Sequence, residues 1–241
     1  MKYLNLISIT TLVLTVCCFI WQIDAHGMML SPVGRSSRWR YDSTAPKNFD
    51  DSGLYCGGFW KQTENDGQCG LCGDDYSLSQ PRPNELGGTY GKGVIVKTYI
   101  GVRSIEVNVL ITANHLGYFT FDLCNLDEAG TESEECFNKY PLNFIDGNRK
   151  LHIGTLTGST NQTLELPSGI TCKHCVLRWT YTAGNNWGVC EDGSGAMGCG
   201  AQENFKNCAD VSILDSARDI IEDSLKAEVP VVVPVPDEPV V

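Results

Sequence analysis

Two histidines, His26 and His115, offer the clearest chemistry in this sequence, and the first matters because of what precedes it. Residues 1–25 read as a secretory leader. Lys2 gives the positive start, residues 4–20 a mostly apolar run, and Ile23-Asp24-Ala25 a boundary ending in the small residue a signal peptidase accepts. Cleavage after Ala25 makes His26 the first residue of the secreted chain. An N-terminal histidine chelates through its own α-amine and its imidazole Nδ1, closing a six-membered ring without help from the fold. One further imidazole completes three nitrogens in a plane, a set that suits Cu(II). The competing reading is an uncleaved membrane anchor. A spanning helix needs ~20 apolar residues, and Asn5, Ser8, Thr10, Thr11 and Thr15 interrupt this one.

His115 stands in Thr112-Ala113-Asn114-His115-Leu116-Gly117, between one apolar alternation ending at Ile111 and another starting near Tyr118. A histidine at the tip of such a connection lies at one end of a sheet, where loops gather and sites are built. Alone it reads first as an exposed turn residue; a shared metal requires the N-terminus to pack at the same end. His152 alternates outward between Leu151 and Ile153, and His174 lies between Cys172 and Cys175. Both read as surface residues rather than ligands. Gln202, Glu203 and Phe205 stand just before the core segment Cys208-Ala209-Asp210-Val211. Taken alone, Phe205 is a packing residue and Glu203 a solvated acid.

The elements that must position these residues are strands. Residues 104–111 alternate with Ile105, Val107, Val109 and Ile111 on one face, and residues 118–123 with Phe119, Phe121 and Leu123 inward. Residues 94–100, 162–166, 175–182 (Leu177, Trp179 and Tyr181 on one face) and 209–213 complete a set. Short half-buried strands joined by turn residues predict an all-β, antiparallel sandwich. Residues 26–93 are rich in Gly, Pro, Ser and Asp and read as long, disulfide-pinned loops with short ordered pieces. Residues 216–226 are expected to form a short exposed helix. Residues 229–241 carry Pro230, Pro234, Pro236 and Pro239 and read as an extended tail. The predicted organisation is a leader over 1–25, one domain over 26–215 and an appendage over 216–241.

The chain carries 18 Lys+Arg against 29 Asp+Glu, a net charge of −11. Such a surface repels phosphate backbones and anionic lipid, so neither nucleic acid nor membrane is expected as a partner. Cys17 and Cys18 leave with the leader. The remaining cysteines are Cys56, Cys69, Cys72, Cys124, Cys136, Cys172, Cys175, Cys190, Cys199 and Cys208. An even set in a secreted chain reads as a disulfide framework of up to five bridges, with the connectivity open. The two Cys-x-x-Cys pairs are too far apart for the usual zinc-ribbon spacing. Asn161-Gln162-Thr163 is a glycosylation sequon, expected on a surface loop.

Together these residues resemble a known family. His26-Gly27-Met28-Met29-Leu30-Ser31-Pro32, followed by Arg35 and Trp39, is similar to the opening of a chitin-binding type-four domain, the domain of the lytic polysaccharide monooxygenases. The cysteine pattern and the run from Cys199 through Phe205 to Asp210 resemble the animal branch, auxiliary activity family fifteen. The resemblance covers residues 26–213 and implies an immunoglobulin- or fibronectin-III-like sandwich with long disulfide-pinned loops. It also implies one copper ion held by His26, through amine and side chain, and by His115. Ala113 falls near the axial position and Phe205 on the axial aromatic, where many relatives carry tyrosine; Gln202 or Glu203 falls on the polar group beside the site.

The activity so implied is oxidative. A secreted, monomeric enzyme, reduced by an external electron donor and supplied with oxygen or hydrogen peroxide, attacks C1 or C4 of a crystalline polysaccharide, chitin first and cellulose second. Trp39, Tyr41, Trp60 and Trp187 lie in loop-like sequence and offer faces for stacking on sugar rings. Two rival classes remain at this point. One is a non-catalytic chitin-binding module. The other is a glycoside hydrolase, which needs a carboxylate pair.

Overall fold

The apolar alternation builds a sheet in the computed structural model, which describes residues 26–216. The leader and its cleavage boundary, and the expected helix and tail beyond Ser216, lie outside the described residues. Eleven strands follow in order: β1 (His26–Ser31), β2 (Lys97–Ile100), β3 (Ser104–Ala113), β4 (Tyr118–Asn125), β5 (Pro141–Phe144), β6 (Leu151–His152), β7 (Gly158–Glu165), β8 (Cys172–Thr182), β9 (Trp187–Val189), β10 (Gly195–Met197) and β11 (Asn204–Leu214). Short helices are α1 (Phe59–Glu64), α2 (Leu126–Ala129) and α3 (Glu134–Lys139), besides a 3-10 helix over Arg35–Arg40.

The main sheet runs β1-β3-β7-β5-β4-β8-β11-β2, with β6 beside β4. β5 pairs with both β4 and β7, so the sheet curls through it into two facing layers. Ile105, Val107, Val109 and Ile111 of one layer share a core with Phe119, Phe121, Leu177, Trp179 and Tyr181 of the other. These are the residues whose alternation marked them as inward.

Residues 26–93 are long loops with short ordered pieces, and the first of these, β1, pairs with β3 at one edge. It buries Gly27, Met28 and Met29 in succession, so no period of two announces it. The strand expected over residues 94–100 forms only from Lys97, since Val94 and Ile95 are exposed, and it pairs with β11 in parallel. The sandwich is therefore antiparallel except along that edge. Asn161 lies on β7 rather than in a loop, with its side chain exposed.

All ten expected cysteines are paired: Cys56–Cys69, Cys72–Cys208, Cys124–Cys136, Cys172–Cys175 and Cys190–Cys199. Of the two Cys-x-x-Cys pairs only the second is a bridge. Cys69 and Cys72 diverge, one within the loops and one to β11.

A buried ionic knot fixes the loop side of the domain. Arg35 donates from Nε and Nη2 to Asp210 at 2.8 and 2.6 Å, from Nη2 to Glu132 at 2.5 Å, and from Nη1 to the Asn84 carbonyl at 3.0 Å. His174 Nε2 lies 2.8 Å from Asp210 Oδ1, so this histidine joins the knot instead of standing free at the surface. A buried charge without such partners would cost several kcal/mol.

Candidate metal centre

β1 brings His26 to the end of the sheet where β3 turns into β4. In the β1–β3 register His26 sits across from Ala113, two residues before His115. Thr112 Oγ1 donates to the His26 carbonyl at 3.2 Å, and Gly27 N–H donates to the Ser52 carbonyl at 3.1 Å, so the start of β1 is held on both sides.

The β3–β4 turn is held as firmly. Asn114 Oδ1 accepts from Leu116 N–H at 2.6 Å, closing an Asx turn. Gly117 follows at φ +83°, and a Cβ there would lie 2.0 Å from the Thr182 carbonyl, so the position requires glycine. His115 N–H donates to the Tyr181 hydroxyl at 2.7 Å, and its carbonyl accepts from Gly184 N–H at 2.8 Å. Burial pushes the Tyr181 phenol up to about 12, and the nearby Glu203 charge adds to this against the His115 N–H. The phenol therefore stays neutral and accepts. The His115 ring is met by Asn185, whose Nδ2 lies 2.9 Å from Nδ1.

A groove opens beside His115. Its wall includes Tyr55, Trp60, His115, Asn185, Trp187 and Glu203. Trp60 and Trp187 stand 71% and 65% exposed on its rims. Glu203 is buried rather than solvated, and Gln202 is spent on backbone: it accepts from Asn186 N–H and donates to the Asn186 and Cys199 carbonyls. Phe205 is fully buried within β11, stacked on Tyr181 at 5.5 Å. Trp39 donates its indole N–H to Asp51 and is half-buried, while Tyr41 is exposed; neither lines the groove.

A family model described as lytic polysaccharide mono-oxygenase, cellulose-degrading, matches residues 26–211. The structure of a lytic polysaccharide monooxygenase AA15 from Thermobia domestica in the Cu(I) state is 44% identical to this chain. It covers 79% of this chain and 100% of its own, with a TM-score of 0.75. This chain belongs to the lytic polysaccharide monooxygenase family. A monooxygenase of that family from Kitasatospora papulosa is 15% identical over 78% of this chain and 98% of its own (TM-score 0.43). The cellulose-active CelS2 in complex with copper is 16% identical over the same shares (TM-score 0.36). No curated protein matches the sequence.

The monooxygenase is copper-dependent and acts on polysaccharide with electrons from an external reductant. The residues at this end of the sheet fit the metal. Two imidazoles belong to neighbouring strand ends, and imidazole nitrogen is a ligand copper favours. The groove beside His115 opens at the surface, where a polysaccharide chain can reach it.

Two residues of the site carried no signal in the sequence. Tyr55 packs between the His26 and Phe205 rings, at centroid distances of 6.4 and 6.1 Å. Asn185 reaches His115 across a sequence separation of 70. Both arrive from segments without periodicity, and only the fold reveals their place.

Proposed function

We propose that the mature enzyme begins at His26, is secreted, and cleaves crystalline chitin, with cellulose as second substrate, by oxidation at C1 or C4. The observation that carries this reading is the groove uniting His115 with exposed Trp60 and Trp187 at the end of the sheet where β1 begins. Release of Ala25 would free the α-amine of His26, and amine, His26 Nδ1 and the His115 ring would then hold one copper. Bound there, copper would supply one-electron redox chemistry able to activate an oxygen co-substrate against a sugar carbon at the glycosidic bond.

The chain's own residues do the rest. Ala113, across from His26, keeps the approach to the metal uncrowded. Phe205 would offer the metal no phenol oxygen, only an apolar ring. Glu203 gives the groove wall a buried acid, which would be the polar group nearest an oxygen co-substrate if copper is held by His26 and His115. Trp60 and Trp187 stack on sugar rings of an uncharged chain, which the −11 net charge neither attracts nor repels. The catalytic domain of residues 26–215 works as a monomer and carries a glycan on Asn161, away from the groove.

Mass spectrometry of soluble products from chitin and cellulose, with copper, reductant and hydrogen peroxide, tests the reading. Lactone, aldonic acid or C4-ketone products from chitin are expected. Native-ended products that persist without copper indicate a hydrolase, and adsorption without products a binding module; either overturns the proposal.

A further inference from the structure

We propose that Asn185 is the positioning residue of the copper site: its carboxamide takes the Nδ1 side of the His115 ring and so commits Nε2 to the metal. The inference rests on the reading of His115 as a copper ligand given above. Asn185 Nδ2 lies 2.9 Å from His115 Nδ1, while Oδ1 of the same amide is buried with no hydrogen-bond partner. A neutral imidazole has one N–H and one lone pair. When Nε2 gives its lone pair to a metal, the hydrogen sits on Nδ1 and needs an acceptor. The unpartnered Oδ1 of Asn185 is such an acceptor, because turning the amide about its last torsion exchanges oxygen and nitrogen within the same volume.

The two amide orientations select opposite tautomers. With Nδ2 toward the ring, the amide donates into the Nδ1 lone pair and the ring hydrogen stays on Nε2, the nitrogen that faces away from Asn185. With Oδ1 toward the ring, the hydrogen moves to Nδ1 and Nε2 is open to copper. Asn185 is thus a two-position latch, and copper binding requires the acceptor position.

The backbone around Asn185 is anchored without its side chain. Gly184 N–H donates to the His115 carbonyl at 2.8 Å, and Gln202 holds both the N–H and the carbonyl of Asn186. Removing the amide therefore leaves the segment in place. An aspartate at the position has acceptors only and keeps the orientation that copper needs.

The experiment compares the secreted wild-type enzyme with Asn185→Ala, Asn185→Asp and His115→Ala. Copper affinity is measured by calorimetry, the Cu(II) spectrum by electron paramagnetic resonance, and the His115 tautomer of the metal-free protein by nitrogen NMR. Asn185→Ala is expected to weaken copper about tenfold or more, to shift the Cu(II) spectrum and to alter the tautomer balance. Asn185→Asp is expected to bind at least as tightly as wild type with the hydrogen on Nδ1. Wild-type affinity and spectrum in Asn185→Ala overturn the latch, as does an Asn185→Asp variant as weak as the alanine. Should the alanine variant fail to fold, the aspartate decides alone: copper affinity about tenfold or more below wild type in Asn185→Asp overturns the latch. Unchanged affinity in His115→Ala overturns the ligand reading itself. A loss there beside an unaffected Asn185→Ala overturns only the latch.

Discussion

Asp210 shows how much of this molecule is decided by single residues that a linear sequence cannot pair. Its partner Arg35 stands 175 positions away, and nothing in either neighbourhood marks the two as an ion pair. Burial pushes the Asp210 carboxyl up, but hydrogen bonds from Arg35 and His174 and the charge of both hold it below its ordinary value. A carboxyl lowered by folding contributes stability above its unfolded pKa of ~3.9, and that contribution is lost as pH falls through the folded value. Asp210→Asn should therefore cost about 3 kcal/mol near neutrality. The gap to wild type should narrow below pH ~4 as the wild-type carboxylate is itself neutralised. Urea unfolding of both proteins at neutral and acid pH checks this, and a gap that widens in acid contradicts it. The same blindness explains Glu203. An acid beside Phe205 reads as solvated until the fold buries it, whereas His26 and His115 could be named as candidates because a leader-like boundary and a strand-to-strand turn are local signals.

At the scale of elements, β3 was legible because it buries alternate residues, and β4 and β8 because large apolar residues recur at every second position, although each also buries a consecutive run; β1 offers no such spacing in Gly27, Met28 and Met29. Trp60 and Trp187 could be named as sugar-stacking candidates, but only the elements distinguish them from Trp39, which is held by Asp51. Trp187 is carried by the β9–β10 hairpin, clasped just outside its strands by Cys190–Cys199. A Cβ at Gly195 would lie 2.3 Å from the Trp187 ring, so glycine there is what lets the indole lie across the hairpin. Gly195→Val should push the ring off that seat while the bridge keeps the hairpin closed and the valine suits a strand. Chitin adsorption is expected to fall about fivefold, the loss of roughly 1 kcal/mol of aromatic contact, with copper affinity and melting temperature unchanged. Depletion isotherms measure it, and undiminished adsorption would remove Trp187 from the binding surface.

Across the whole molecule, the site lies where long loops meet one end of the sheet, and those loops contribute few residues to the main core. Bridges and buried ions must do what periodic packing does elsewhere. The five bridges are not equal in this respect. Cys72–Cys208 joins the loop region to β11 across 136 residues, while Cys190–Cys199 closes a separation of 9. Because cross-linking restricts the unfolded chain more when the closed loop is longer, the chain-entropy relation assigns about 5 kcal/mol to the first and about 2.5 to the second. The first also anchors the segment that carries Tyr55 toward His26, since its neighbour Gly73 accepts from Cys56 N–H, and Lys206, two residues before Cys208, donates from its N–H to the Leu54 carbonyl. Replacing Cys72 and Cys208 by serine should therefore lower stability about twice as much as replacing Cys190 and Cys199, and should weaken copper binding as well. The hairpin pair should affect chitin adsorption and leave copper alone. Urea titrations with copper calorimetry on both double variants separate the two roles. Equal losses of stability, or copper affinity indifferent to the long bridge, would show that the loops hold the metal end of the sheet without it.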